Sequence, residues 1–303
     1  MNNFRAKLIF TLIIISSFNY LPGLVFSLRL NPHNSNSCDN KVDPRTLQSD
    51  QMAVVINGYS ERRIPLLQSI AARYSASASV STILIIWCNP STPSQTLSQL
   101  SYNLSIYSTI NAPISLIHER SQSLNSRFYP RELIDTRAVL ICDDDVELDS
   151  KSINFAFNIW KSNPDRLIGF FARSHAYGCG SGTVIEELRK IVDADKNCED
   201  ILMNFLVADK VNAGPVLVGA ERVRDWGDAR NEGEVGKEER EVGLSSRRGD
   251  HRKRRGECIR EFHRILGRMP LRYSYGKVVN SVGEQGLCEK GGKLVFCDQQ
   301  LLK

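Results

Sequence analysis

Short apolar runs recur through the first half of the chain, at Ala53 to Ile56, Ile83 to Trp87, Ile114 to Ile117 and Ala138 to Cys142. Runs this short and this rich in β-branched residues predict buried strands. Between the first two, Leu66, Leu67, Ile70, Ala71 and Tyr74 recur at helical spacing. Such alternation predicts an α/β domain built on a mostly parallel sheet. Ser152 to Trp160 puts Ile153, Phe157 and Trp160 on one helical face, which predicts an amphipathic helix packed back onto that sheet. Further along, Glu186 to Asp195 predicts a helix, and Glu199 and Asp200 open another whose Ile201, Phe205 and Leu206 are apolar. Carboxylates in a first helical turn also complement the helix dipole, so by themselves they do not mark a site. Residues 225–256 are acidic and then basic, and predict a charged surface loop.

Ligands of open α/β sheets collect at the carboxyl ends of strands. Asn57, Asn89 and the triplet Asp143, Asp144 and Asp145 each fall just after an apolar run. Three carboxylates crowded at a strand end repel one another unless a cation joins them. Hard oxygen ligands favour Mg²⁺ or Mn²⁺, with coordination positions left for water and phosphate. An Asp-x-Asp of this kind is how many nucleotide-sugar transferases hold the donor diphosphate, although a solvated strand-end turn produces the same pattern. The stretch from Asp143 to Asp149 lacks the glycine and the terminal glutamate of an EF-hand.

With 303 residues, 42% of them hydrophobic, the chain is long enough for one large domain or two small ones. Its net charge of +5 is dispersed and implies no nucleic-acid partner. Residues 1–27 carry Arg5 and Lys7 ahead of an apolar stretch and have the form of a signal peptide or signal anchor, which predicts entry into the secretory pathway. Residues 28–50 read as a polar stem, and 51–303 as the folded domain. Of eight cysteines, Cys88 and Cys142 lie in apolar runs and read as buried thiols; Cys38, Cys179, Cys198, Cys258, Cys288 and Cys297 are candidates for disulfides of undetermined connectivity. No zinc-type spacing occurs. Asn103-Leu104-Ser105 is a glycosylation sequon suited to a lumenal protein. Gly178 to Gly182 has neither phosphate-loop spacing and reads as a plain connection.

Several spaced motifs resemble those of the exostosin-like transferases, glycosyltransferase family 64, in particular its plant secretory members. They are Val54 to Tyr59 with Arg63, Trp87-Cys88-Asn89, Ser123 to Phe128, Asp143 to Asp145, Asn197 to Phe205, Arg255 to Cys258 and Met269 to Tyr273. The resemblance implies a GT-A fold and a metal-dependent, retaining transfer of a sugar from a UDP- or GDP-linked donor. The acceptor would be a glycan or a glycolipid of the glycosyl inositol phosphorylceramide type. It implies nucleotide-sugar contacts for Arg63, Asn89, Arg127, Asp143, Asp144, Asp145 and Glu199, with Asp145 the ligand to Mn²⁺ or Mg²⁺. Asp200 and Arg255 would be catalytic, Arg255 facing the leaving diphosphate, and Cys198 and Cys258 would form a disulfide. Same-face attack and a covalent route through Glu199 or Asp200 both stay open. The expected location is the Golgi lumen or membrane, attached through the N-terminal segment, with secretion if that segment is cleaved. Two departures stand out: Gln122 replaces a common asparagine, and a family segment after residue 175 is missing. That gap raises an alternative, a nucleotide-sugar or glycan-binding protein with impaired catalysis.

Overall fold

The computed structural model describes residues 46–108, 111–170, 183–227, 250–274, 276–280, 287–290 and 293–296. Its central sheet holds the four expected strands: β1 (Gln48–Gly58), β2 (Val80–Trp87), β3 (Ile114–His118) and β4 (Thr136–Asp143). They are all parallel, in the order β3-β2-β1-β4. β1 begins at Gln48, so the last residues of the expected stem already belong to the sheet. α1 (Ile64–Ser75) links β1 to β2, and α2 (Ser94–Tyr107) links β2 to β3. The chain then returns across the sheet, through a 3-10 helix at Leu124–Phe128, to place β4 on the far side of β1.

Strand residues alternate between two apolar layers, as a pleated sheet covered on both faces requires. Met52, Val54, Ile56, Ile83, Ile85 and Trp87 face a core that includes Leu67, Ile70 and Tyr74 of α1 and Phe157 and Trp160 of α3 (Ser150–Ser162). Val55, Leu84, Ile86 and Ile141 face the other way, toward Phe128 and Met203. β1 closes on Gly58, where any Cβ would stand 2.9 Å from the Trp87 ring. α3 starts where Asp149 accepts a hydrogen bond of 2.7 Å from the Ser152 amide. Such a cap is worth about 1 kcal/mol.

Three smaller pieces follow β4. β5 (Val146–Leu148) pairs antiparallel with β8 (Val223–Asp225), and β6 (Ile168–Gly169), β7 (Val216–Val218) and β9 (Lys277–Val278) form a short parallel sheet. β10 (Leu287–Lys290) and β11 (Lys293–Phe296) make a hairpin. α4 (Thr183–Asp195), α5 (Glu199–Val211) and α6 (Asp250–Leu266) pack around their own core, where Phe205 meets Phe262 edge-on at 5.6 Å between ring centres.

The expected surface loop over 225–256 is corrected at both ends, since Asp225 closes β8 and the basic run from Arg252 to Arg255 lies in α6. Burial decides that outcome. Cys258 and Phe262, one helical turn apart, are sealed against Leu188, Val192 and Phe205, and this apolar stripe outweighs the charge around it. Residues 228–249 lie outside the described residues, as do the first 45, Gly178 to Gly182, Cys38, Cys179 and Cys297.

Candidate active site

Strand order fixes where a ligand can enter. The chain runs outward from β1 to β2 and β3, then restarts at β4 on the opposite side, so β1 and β4 flank the switch point where ligand crevices form in open sheets. Asn57 and Asp143 are register partners at that point. The two residues after β4, Asp144 and Asp145, therefore stand at the crevice mouth.

Two arginines partner the triplet. Arg63, in the 3-10 turn Glu61–Arg63 after β1, donates from Nη1 to Asp144 Oδ1 and to Asp145 Oδ2, both at 2.8 Å. Arg127 donates from Nη1 to Asp143 Oδ1 at 2.6 Å and lies 3.7 Å from Glu199 Oε1. Both guanidiniums are buried and held charged, since their carboxylate neighbours outweigh desolvation. Part of the cation demand of the triplet is thus met by the protein itself.

Negative charge is still in excess around Asp145. Burial pushes its carboxyl up to about 8; Arg63 opposes that rise, while Asp144, Asp143 and Asp225 add to it. Asp225 was not foreseen from the sequence, because only the β5–β8 pairing brings it near. The turn after β8 closes over Asp145. The Trp226 amide donates to the Asp145 carbonyl at 2.8 Å, and a Cβ at Gly227 would stand 2.5 Å from Asp145 Oδ2. The Trp226 indole donates to Glu147 Oε2 at 2.9 Å, which anchors the turn to β5.

The second acid pair is placed by an unusual helix start. Lys196 and Cys198 both have positive φ, at 48° and 72°. Left-handed backbone at non-glycine residues costs about 1–3 kcal/mol and persists where surrounding structure fixes it. Here Asn197 Oδ1 accepts from the Cys198 amide at 2.8 Å, and Cys198 is bonded to Cys258 of α6 across 60 residues, the pairing that the resemblance implied. Glu199 and Asp200 are consequently buried in the first turn of α5 and aim inward. Arg255 of α6 grips Asp200 through both guanidinium nitrogens, with Nη1 to Oδ1 at 2.7 Å. Burial pushes the Glu199 carboxyl up to about 7; Arg127 opposes the rise, and Asp200 and Asp143 add to it.

Eight of the expected residues thus form one connected array: Asp145, Arg63 and Asp144 at one end, Asp143, Arg127 and Glu199 in the middle, Asp200 and Arg255 at the other. Asn89 is not in it. Its Oδ1 accepts from the Ser91 amide at 3.0 Å, and its carbonyl lies 3.0 Å from His118 Nε2, so it shapes the turn after β2. Asn103 lies on α2, with its Oδ1 accepting from Gln99 Nε2 at 2.8 Å. Gln122 meets the array's neighbourhood through its carbonyl, 3.4 Å from Lys196 Nζ. Cys88 and Cys142 are buried free thiols, as expected.

Known proteins resemble this chain over most of its length. The Glycosyl transferase family 64 domain matches residues 52–185 and 181–283. Glycosyltransferase family protein 64 C3 of Arabidopsis thaliana is 59% identical over 298 residues, which covers 86% of this chain and 90% of the relative. Glycosylinositol phosphorylceramide mannosyl transferase 1 of the same plant is 26% identical over 262 residues, covering 73% of this chain and 74% of the relative. Its Glucosamine inositolphosphorylceramide transferase 1 is 28% identical over 256 residues, covering 71% of this chain but 30% of the relative. The first alignment is 298 positions long, while 86% of 303 residues is about 261, so about 37 positions of the relative face no residue here. The family match breaks at 181–185, just beyond where the missing segment is expected. With two matched stretches that together take in β1 to β9, and the charged array inside them, this chain belongs to glycosyltransferase family 64 and is a glycosyltransferase of the exostosin-like kind.

Proposed function

We propose that this transferase adopts a GT-A-type arrangement and moves a sugar, with retention and with help from a divalent cation, from a nucleotide diphosphate donor to a glycan or an inositol phosphorylceramide-type acceptor. The observation that carries the reading is the single array of acids and arginines across the β1/β4 switch point. Diphosphate and sugar need opposite electrostatic treatment as the anomeric bond breaks, and the array offers both. Arg255 is placed to receive charge on the leaving diphosphate once it exchanges part of its grip on Asp200. Asp200 then faces the developing positive charge of the ring or orients the acceptor hydroxyl.

Mn²⁺ or Mg²⁺ fits Asp145. Burial raises its carboxyl first, and Asp144, Asp143 and Asp225 add negative charge that a dication would offset. Among the described residues no three acidic, histidine or cysteine side chains converge as a protein-only cage. That suits a cation held by a carboxylate together with phosphate oxygens. When bound, such a cation neutralises diphosphate charge and acts as a Lewis acid.

The acceptor class rests on the two relatives named for inositolphosphorylceramide transfer. Secretory location rests on the form of residues 1–27 and on the Cys198–Cys258 disulfide, a bond that belongs to oxidising compartments. No helix among the described residues is long and apolar enough to cross a membrane, so membrane attachment would fall to the N-terminal segment. The break in the family match supports a second reading, a nucleotide-sugar binder that no longer turns over.

Calorimetric titration with UDP and with GDP, each with and without Mn²⁺, followed by hydrolysis and transfer assays, tests both. The transferase reading expects cation-dependent binding and turnover, both abolished by Asp145→Ala. Binding without turnover would favour the second reading. Full transfer by Asp145→Ala would refute the cation assignment.

A further inference from the structure

Among the described residues Arg127 is the side chain that bridges both acid groups, yet its own hydrogen bonds do not fully fix it. Its Nε is buried without a partner, so its placement depends on the backbone that carries it. That backbone is the 3-10 helix Leu124–Phe128, whose start is capped by Ser123, with Oγ accepting from the Asn125 amide at 3.1 Å. The cap is in turn held from outside. Ser123 Oγ donates to Asp193 Oδ1 at 2.5 Å, and Asn125 Nδ2 donates to the same oxygen at 3.0 Å. Asn125 Nδ2 also lies 3.3 Å from the Arg189 carbonyl, and the Arg189 guanidinium stands 5.6 Å from the Tyr129 ring centre. Leu124 packs on the apolar cluster that contains Leu188 and Val192 of α4 and Phe205 of α5.

α4 therefore clamps the 3-10 helix through one carboxylate on its last turn. We propose that Asp193 is a positioning residue for Arg127: by gathering Ser123 and Asn125 onto one oxygen it sets the turn that aims the guanidinium between Asp143 and Glu199. Its effect on donor binding rests on the reading of Arg127 as a nucleotide-sugar contact. The clamp itself does not. α4 starts within the break in the family match and carries Asp193 beyond it, so this contact ties the chain after the break to the donor side of the site.

Both donors converge on Oδ1, an atom type that a carboxamide also supplies, and this sets the test. Asp193→Ala and Asp193→Asn are compared for hydrogen exchange of residues 121–129, for urea unfolding alone and combined with Arg127→Ala, and for UDP binding in Mn²⁺. The alanine variant is expected to lose protection in the 3-10 helix while β1 and β2 keep theirs. Its stability loss is expected to be subadditive with that of Arg127→Ala, as for residues acting through one another. UDP binding should weaken about 10-fold, the scale on which supporting partners act. Asp193→Asn should restore all three readouts. Unchanged exchange in the alanine variant, or strictly additive losses, would overturn the proposal. If UDP fails to bind even the unmodified protein, the donor reading falls, and the exchange and unfolding results still decide the clamp.

Discussion

Asp143 to Asp145 leave a strand whose register is set by six successive pairings with β1, from Met52 with Ala138 to Asn57 with Asp143. Glu199 and Asp200 begin a helix whose entry is a left-handed cysteine, held by a disulfide and by arginines from distant segments. The first group is thus positioned by backbone, the second by side chains and one covalent link. The contrast teaches where each is vulnerable. Strand-end acids should survive changes elsewhere, whereas the helix-start acids should shift whenever a single long-range partner is lost.

The sharpest way to break this contrast is to remove the residue that spans it. Arg127→Ala leaves Asp143 and Glu199 without their shared cation in a buried setting. Breaking one side of such a pair costs about 3–5 kcal/mol. Urea unfolding should register that loss together with weaker UDP binding. An unchanged midpoint would mean that the bridge is structurally idle.

Next in size is the disulfide. Cys198→Ser with Cys258→Ser opens a 60-residue loop, and loss of a bond of this kind typically costs about 2–4 kcal/mol. The contrast expects a selective result: transfer lost because Asp200 and Arg255 drift apart, but cation-dependent UDP binding at the strand end changed only a few-fold. Equal loss of both would show that the two groups do not stand on separate supports.

A smaller perturbation acts on the strand-end group alone. Gly227→Ala puts a methyl group where it would meet Asp145 Oδ2 at 2.5 Å, so the carboxylate or the turn must yield. Crowding of this sort costs about 1–3 kcal/mol. Mn²⁺ binding, followed by electron paramagnetic resonance, should weaken by about 10-fold, near 1.4 kcal/mol, while the Asp200–Arg255 end is unaffected. Normal Mn²⁺ affinity would dissociate the β8 turn from the cation.

The two groups also differ in how far a reader of the sequence could see them. Strands β1 to β4 announce themselves as β-branched runs, and the triplet follows the last run directly, so the strand-end group needs only local pattern. Glu199 and Asp200 look like dipole-complementing acids until Arg127, 72 residues earlier, and Arg255, 55 residues later, arrive beside them. Only the family resemblance joined those segments in advance. Asp225 and Asp193 carry no local mark at all, because their importance comes from strand pairing and helix docking. The basic run ending at Arg255 has the charge of a loop, and only the four-residue spacing of the buried Cys258 and Phe262 marks it as helix.

The last lever on the comparison is pH, and its sign separates the metal-free protein from the loaded one. Burial raises the Glu199 carboxyl to about 7 and that of Asp145 to about 8, both above the ordinary carboxyl range near 4. The folded state therefore binds more protons than the unfolded chain between those limits, and metal-free stability must fall as pH rises from about 4 to about 8. The expected readout between pH 5.5 and pH 8 is a fall in the melting temperature of the metal-free protein. If the proposed cation assignment holds, saturating Mn²⁺ would compete with the Asp145 proton, and the added stability from the cation should grow with pH. Glu199, paired with Arg127 and not with Asp145, should then keep its own decline. Scanning calorimetry across pH with and without Mn²⁺ would thus show a partial reversal. Complete reversal would place both acid groups under the control of one ion, and none would remove Asp145 from the cation site.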